Sequence, residues 1–346
     1  MALSPTTVAE VAAMLAEASA SGQRVLPIGG GTHLRQGRPE AVDLDLSTRG
    51  LNRIVAHEPA DLTVTVEGGV SVVDLDAALA TAGQCWPQVD VLPGATVGGV
   101  LAAAMSGRTR IRNGPVRDGL LEVVVATGDG RVVKAGGKTV KGVAGFDLCR
   151  LLVGSMGSLG VICEVTLKLW PRPAALGWFG VQGSTDDCLA AARRVMATHH
   201  RPAALILTPG ALAVQLAGTP SDVVAPEDFA VVDEPTRLSA VGRLRVGVPP
   251  TRLAEMVASL DQDRRAFEAL VGVGSVEVAV ESTADIEAVR AQAIALGGHA
   301  IVIDGPGALR VDPWGPPPPG AGLMKRIKAT FDPAGILAPG RLVEAM

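Results

Sequence analysis

The chain has no tyrosine, and its 346 residues include only five Phe and four Trp. The lack of a phenol excludes chemistry run through a Tyr hydroxyl. So few rings also argue against a surface that stacks nucleic-acid bases on aromatics. Charge of one sign is missing as well: 31 Lys and Arg stand against 35 Asp and Glu, interspersed, for a net charge of −4. That balance is not a nucleic-acid footprint. Cysteine is scarce, and Cys85, Cys149, Cys163 and Cys188 never pair as C-x-x-C. They suggest neither zinc nor an iron–sulfur cluster and read as buried free thiols. Apolar runs are short, so no segment reads as a transmembrane helix. The first residues, "MALSPTTVAEVAAML", lack the basic region and continuous apolar core of a signal peptide. The chain reads as cytoplasmic.

What is abundant is glycine, with 42 residues, against an apolar share of 48% that is ample for real cores. Length suggests about two domains. Residues 1–173 alternate strands and helices and close on the prolines of "LKLWPRP". Val8, Val11, Ala12 and Leu15 fall at helical spacing behind a Ser4 or Thr6 cap. "LLEVVVATGDGRVVKA" reads as a hairpin. Residues 174–315 read as an α+β domain, an antiparallel sheet covered by helices. Its strands fall near 203–208, 211–217 and 241–248, and its helices over "STDDCLAAARRVMATHH" (184–200, capped by Ser184), 250–260 and 284–296. Residues 316–346 begin in a stiff proline run and end in a helix, a turn at Asp332-Pro333 and an extended tail. The linker and tail serve either as interaction elements or to return the chain to the first domain.

Three glycine clusters carry the functional signal. In "VLPIGGGTHL" a strand runs into Gly29-Gly30-Gly31-Thr32. Such a turn can aim successive N–H groups at phosphate oxygens, or be a plain tight turn. Leu34 stands where the third glycine of a dinucleotide fingerprint belongs. In "LPGATVGGVLAAAMSG" Thr96 caps a helix whose first turn holds Gly98 and Gly99. Either an anion at the helix start or close helix–sheet packing would need glycine there. Two such nests in one domain suggest a pyrophosphate. In "LLVGSMGSLGVI" a small, polar loop with Gly154, Gly157 and Gly160 could let its backbone meet the edge of a flat ring. Gly137-Lys138-Thr139 is not the end of a P-loop, because Val132 stands where its first glycine belongs.

In this order the clusters resemble the FAD-binding family of vanillyl-alcohol oxidase and p-cresol methylhydroxylase over most of residues 20–173. The resemblance lies in "PIGGGT", "TVTVEGGVSVVDLDAAL", "PGATVGGVLAAAMSGRTRIRNGPVRDGLLEVVVATGDGRVV" and "GFDLCRLLVGSMGSLGVICEVTLKLWPRP". "RNGPVRD", "VKGVAGFDLCRLLVGSMGSLGVI" and "FDPAGILAPGRL" look like the branch holding the FAD-binding subunits of bacterial glycolate oxidases. The resemblance implies a two-subdomain α+β FAD-binding domain with a smaller α+β cap. It implies that Gly29, Gly30, Gly31 and Thr32 hold the pyrophosphate. Pro93, Gly94, Ala95, Thr96, Gly98 and Gly99 would meet the pyrophosphate and flavin side. Ser106, Gly107 and Gly114 would lie near the flavin, and Gly157, Gly160, Val161 and Ile162 would clamp the cofactor by backbone.

Two departures shape the functional expectation. Members that attach FAD covalently through this loop place His directly after the last two glycines; here Thr32 stands there and His33 follows. Non-covalent FAD is expected. Related 2-hydroxyacid dehydrogenases carry a His-rich metal motif in the second half, whereas this chain has only His199, His200 and His299 there. No metal is expected, and no catalytic residue is assigned. The resemblance implies a flavoprotein subunit of a glycolate or other 2-hydroxyacid oxidase complex. It would take part in hydride and electron transfer beside a second flavoprotein and an iron–sulfur subunit. A stand-alone alcohol oxidoreductase using Arg108, Arg110, Arg112 and Asp118, or a non-catalytic FAD-stabilised subunit, remains open. The arginines read equally as a solvated basic loop.

Overall fold

The computed structural model describes residues 2–38, 41–137, 147–198, 201–305 and 311–342. Lys138, Thr139, the "VKGVAGF" of the 140–146 stretch, His199 and His200 lie outside the described residues.

The chain divides into two compact units. One holds Met1–Gly107, Pro115–Arg172 and Pro317–Met346; the other holds Arg108–Gly114 and Pro173–Pro316. In the first, a parallel three-stranded sheet runs in the order Ala2–Leu3, Leu44–Ser47, Val25–Ile28. The helix Val8–Ser21 buries Val11, Leu15 and Ala18 against Val25, Leu44 and Leu46 of this sheet. Thr7, rather than Ser4 or Thr6, caps this helix: its Oγ1 accepts from Glu10 N at 3.2 Å. Thr6 stands one residue too early and instead donates to the Glu10 carboxylate.

A five-stranded antiparallel sheet follows, ordered Ile54–Glu58, Thr63–Glu67, Val161–Lys168, Leu120–Ala126, Val132–Gly136. Its last two strands are the expected hairpin. The C-terminal segment returns to this unit. Val25 N–H donates to Ile336 O and Val25 O accepts from Ala338 N–H, both at 2.8 Å, so residues 336–338 lie beside the strand Val25–Ile28.

The second unit is an eight-stranded antiparallel sheet. Its order is Ala230–Val231, Ala175–Gln182, Ala211–Gly218, Ala204–Thr208, Phe267–Leu270, Ser275–Val280, Gly242–Gly247, His299–Asp304. Leu212, Val214 and Leu216 point into the core while their neighbours stay half-buried, as period two requires. The helices Thr185–Ala197, Leu253–Gln262 and Thr283–Ala295 complete that core. Ser184 caps the first of them in a full capping box with Asp187.

The segment 108–114, expected within the first domain, packs with the second unit. Arg108 explains why: buried, it forks onto Glu268, with Nε to Oε1 at 2.9 Å and Nη2 to Oε2 at 2.5 Å, and reaches Glu234 Oε1 at 3.2 Å. Leaving a bidentate partner inside a core would strand a charge. Arg112 donates to the carbonyls of Ala217 and Arg201. Arg108 is therefore no solvated side chain, while Arg112 stays exposed, and Asp118 sits beside Arg117 and Arg150 in the first unit.

Candidate functional site

The strand Val25–Ile28 ends in the triple glycine, and the first two glycines are demanded by the protein's own packing. A Cβ on Gly29 would overlap Thr96 Oγ1, and one on Gly30 would overlap the backbone O of Gly94. Gly30 N–H donates to Thr96 Oγ1 at 3.2 Å. Gly31 differs: its φ is +77°, and a Cβ there would meet only Leu34 at 3.6 Å. Here glycine serves conformation.

The loop's carbonyls are fixed by two arginines. Arg49 donates Nε to Gly29 O at 3.3 Å and Nη2 to Gly30 O at 3.2 Å. Arg341 Nη2 donates to His33 O at 3.2 Å and Leu34 O at 3.0 Å. In a trans peptide N–H and C=O point opposite ways, so Gly31 N–H is turned away from Arg49. Among the described residues the N–H groups of Gly31 and Thr32 donate no hydrogen bond. They are the donors this loop leaves for a ligand.

The second cluster corrects the sequence expectation. Thr96 is the cap, its Oγ1 accepting from Gly99 N–H at 3.3 Å. Yet Val97 N–H donates to Val70 O at 2.9 Å and Gly98 N–H to Gly68 O at 2.7 Å. The first donors of this six-residue helix, Val97–Ala102, are thus satisfied inside the protein, and no second anion nest exists here. A Cβ on Gly98 would sit 2.8 Å from Gly68 O, so close backbone packing accounts for the glycine.

The third cluster follows the helix Leu148–Leu152. Gly154 N–H donates to Leu101 O at 3.0 Å and Met156 N–H to Ala102 O at 2.9 Å, hanging the loop on the end of the Val97–Ala102 helix. Ser158 Oγ closes a turn on Ser155 O at 2.6 Å, and Lys328 Nζ donates to Ser158 O at 2.7 Å. A Cβ on Gly160 would overlap Val125.

These loops line one open cleft. Gly29, Gly30, Gly31, Thr32, Gly98, Gly99, Gly157, Gly160, Val161 and Ile162 all line it. Gly94 and Thr96 line a second cavity with Arg49, Asn52, Ser71 and Asp74. Pro93, Ala95, Ser106 and Gly107 line neither: Ala95 O accepts from Val72 N–H, Ser106 Oγ from Val116 N–H, and Gly107 N–H donates to Gln88 O. Gly114 belongs to the second unit, where it ends the short helix Arg110–Asn113.

Sequence reasoning missed Thr48, Met156 and Arg341 in the cleft wall. Arg341 is buried, and burial pushes its guanidinium below the ordinary value. His33 lines the cleft too, its Nδ1 2.9 Å from Thr32 Oγ1. A wall of glycine and alanine backbone, with unspent amides at one turn, suits a flat, anionic dinucleotide.

Comparison with known families concerns the segments that carry the cleft. Residues 1–136 match the FAD binding domain family. These residues are similar to FAD-binding domains. Residues 316–342 match the C-terminal domain of FAD linked oxidases, so the returning tail is part of the same architecture and FAD is the cofactor. Relatives of this FAD-binding domain include glycolate oxidase subunit GlcE of Escherichia coli (strain K12), 41% identical over 141 residues, 40% of either chain. Glycolate oxidase subunit GlcD of Bacillus subtilis (strain 168) is 30% identical over 269 residues, 75% of this chain and 51% of its own. The mitochondrial cytochrome D-lactate dehydrogenase of Arabidopsis thaliana is 35% identical over 173 residues, 49% of this chain and 30% of its own. The matches thus span about half or less of those relatives' length. A solved alkyldihydroxyacetonephosphate synthase shares the fold, with a TM-score of 0.72 at 14% identity over 98% of this chain and 75% of its own.

Among the described residues no group of three or more His, Cys, Asp and Glu could hold a metal, and no helix is long and apolar enough to cross a membrane.

Proposed function

We propose that the chain is the flavoprotein subunit of a glycolate or related 2-hydroxyacid oxidoreductase. In this reading it holds FAD non-covalently in the cleft and works beside a second flavoprotein and an iron–sulfur subunit. The observation that carries the site is the loop 29–34, whose carbonyls are tied to Arg49 and Arg341 while the amides of Gly31 and Thr32 stay unspent. Two adjacent N–H donors beside a glycine wall suit a pyrophosphate without recruiting a buried cation. Bound FAD would supply a two-electron acceptor. The chain's part is to fix that group by backbone contacts from Gly98, Gly99, Gly157, Gly160, Val161 and Ile162.

The glycolate oxidase and D-lactate dehydrogenase relatives support the substrate class. Arg108, an obvious anchor for a substrate carboxylate, spends its charge on Glu268 and Glu234. That supports a subunit working in a complex over a stand-alone enzyme. Thr32 at the covalent-attachment position supports a dissociable cofactor.

A visible spectrum of the pure protein tests the cleft: a flavin band is expected, and its lack refutes the reading. After acid precipitation the yellow colour is expected in the supernatant; colour in the pellet refutes non-covalent binding. Co-purification on a tagged chain is expected to bring down partner subunits. Anaerobic bleaching by glycolate or D-lactate is expected from that assembly, and full activity of the isolated monomer would refute the subunit reading.

A further inference from the structure

We propose that the C-terminal segment is a brace that sets both cofactor loops, with Arg341 and Lys328 as its two positioning residues. This rests on the placement of FAD in the cleft. Arg341 binds the carbonyls of His33 and Leu34, at the far end of the glycine turn from Arg49. Lys328, on the helix Ala321–Phe331, reaches the other loop at Ser158 O and also donates to Leu337 O, each at 2.7 Å. Its third partner is Asp332 Oδ2 at 2.5 Å, and Asp332 in turn accepts from Ile336 N–H at 3.1 Å and Leu337 N–H at 2.8 Å. Lys328 and Asp332 are both buried. Residues 336–338 lie beside Val25, on the strand that feeds the glycine turn.

One short segment therefore grips both walls of the cleft through carbonyls. A carbonyl held by a buried cation resists rotation, so the peptides that join His33 to Leu34, Leu34 to Arg35 and Ser158 to Leu159 are held, and with them the ends of the loops that carry the ligand donors. Neither cation is assigned to the ligand; each acts on the loop that meets it. Preorganised donors bind more tightly than loops that must order on binding.

The test uses the full chain, stripped of FAD, in two readouts. Hydrogen exchange of the apo-protein follows residues 29–36 and 155–160. Quenching of FAD fluorescence gives the Kd. Arg341→Met is expected to speed exchange in 29–36, and the paired Lys328→Met/Asp332→Asn, which leaves no lone buried charge, in 155–160. Each is expected to weaken FAD about tenfold or more. Lys325→Met, an exposed cation on the same helix, is expected to change neither. Apo-protein Tm is expected to move little in Arg341→Met, because loop order rather than the core is lost. Unchanged exchange in both loops overturns the brace whatever FAD does. So does a loss of affinity matched by a global loss of apo-protein stability. If the wild-type protein does not quench FAD, the placement of FAD fails, and the exchange rates alone decide the brace.

Discussion

The cleft of the first unit and the core of the second use their cations differently. The cleft is lined with bare backbone, and Arg49, Lys328 and Arg341 reach carbonyls of its loops, Lys328 sharing its charge with Asp332. The second addresses charge to charge. Arg108 is buried between Glu268 and Glu234, and Arg243 and Arg245 share Glu277 at 3.2 and 3.4 Å across neighbouring strands. A backbone nest can receive an anion without a buried cation that would need a partner when the site is empty. Paired side chains lock a fold and leave their charge committed.

The contrast breaks most readily at Glu268. Glu268→Ala leaves Arg108 buried without its fork, and a loss of about 3–5 kcal/mol is expected in denaturant unfolding. A loss below 1 kcal/mol would show that the pair is not the anchor of segment 108–114. Next in size is Gly30→Ala, which forces a methyl into the backbone of Gly94. About 1–3 kcal/mol and most of the bound flavin are expected to go, read by Tm and by absorbance per chain.

Alkaline pH comes third. Burial pushes the thiols of Cys163 and Cys149 up to about 12 and about 11 from the usual 9.0. Between those limits the folded state holds protons that the unfolded chain has lost, so stability falls as pH rises above about 9. Urea midpoints at pH 8 and pH 10 check this, and Cys163→Ala is expected to flatten the slope. Gly31→Ala sharpens the contrast within one loop. There is room for the methyl but φ is positive, so only about 1 kcal/mol is expected. Last, Gly322→Ala, exposed on the C-terminal helix with nothing near it, is expected to raise stability by about 0.5 kcal/mol.

Local signals read well from sequence where the cause is local. Ser184 and Thr96 cap as expected because a hydroxyl finds an amide three residues on. The alternation of Ala211–Gly218 marks its strand, and the same alternation in "SVEVAV" marks Ser275–Val280. Ten residues of the glycine clusters line one cleft. What failed depended on partners far along the chain. Nothing near Gly98 shows that Gly68 takes its amide. Nothing near Arg108 announces Glu268, 160 residues later. Arg341 looked like the end of a tail because its carbonyls belong to residues more than 300 positions away. The cap of the first helix slipped by one because Thr6 and Thr7 are alike in composition and differ only in backbone.

The reach from Arg341 to Leu34 also has a consequence in time. A ribosome adding roughly 5–20 residues per second needs about 15–60 s to pass from one to the other. For that interval the strand Val25–Ile28 and its glycine turn exist without residues 336–338 beside them. The whole second unit emerges in between. The nascent chain must carry an unfinished first unit while it makes the second, and the cleft reaches its final form only once residues 336–341 are made.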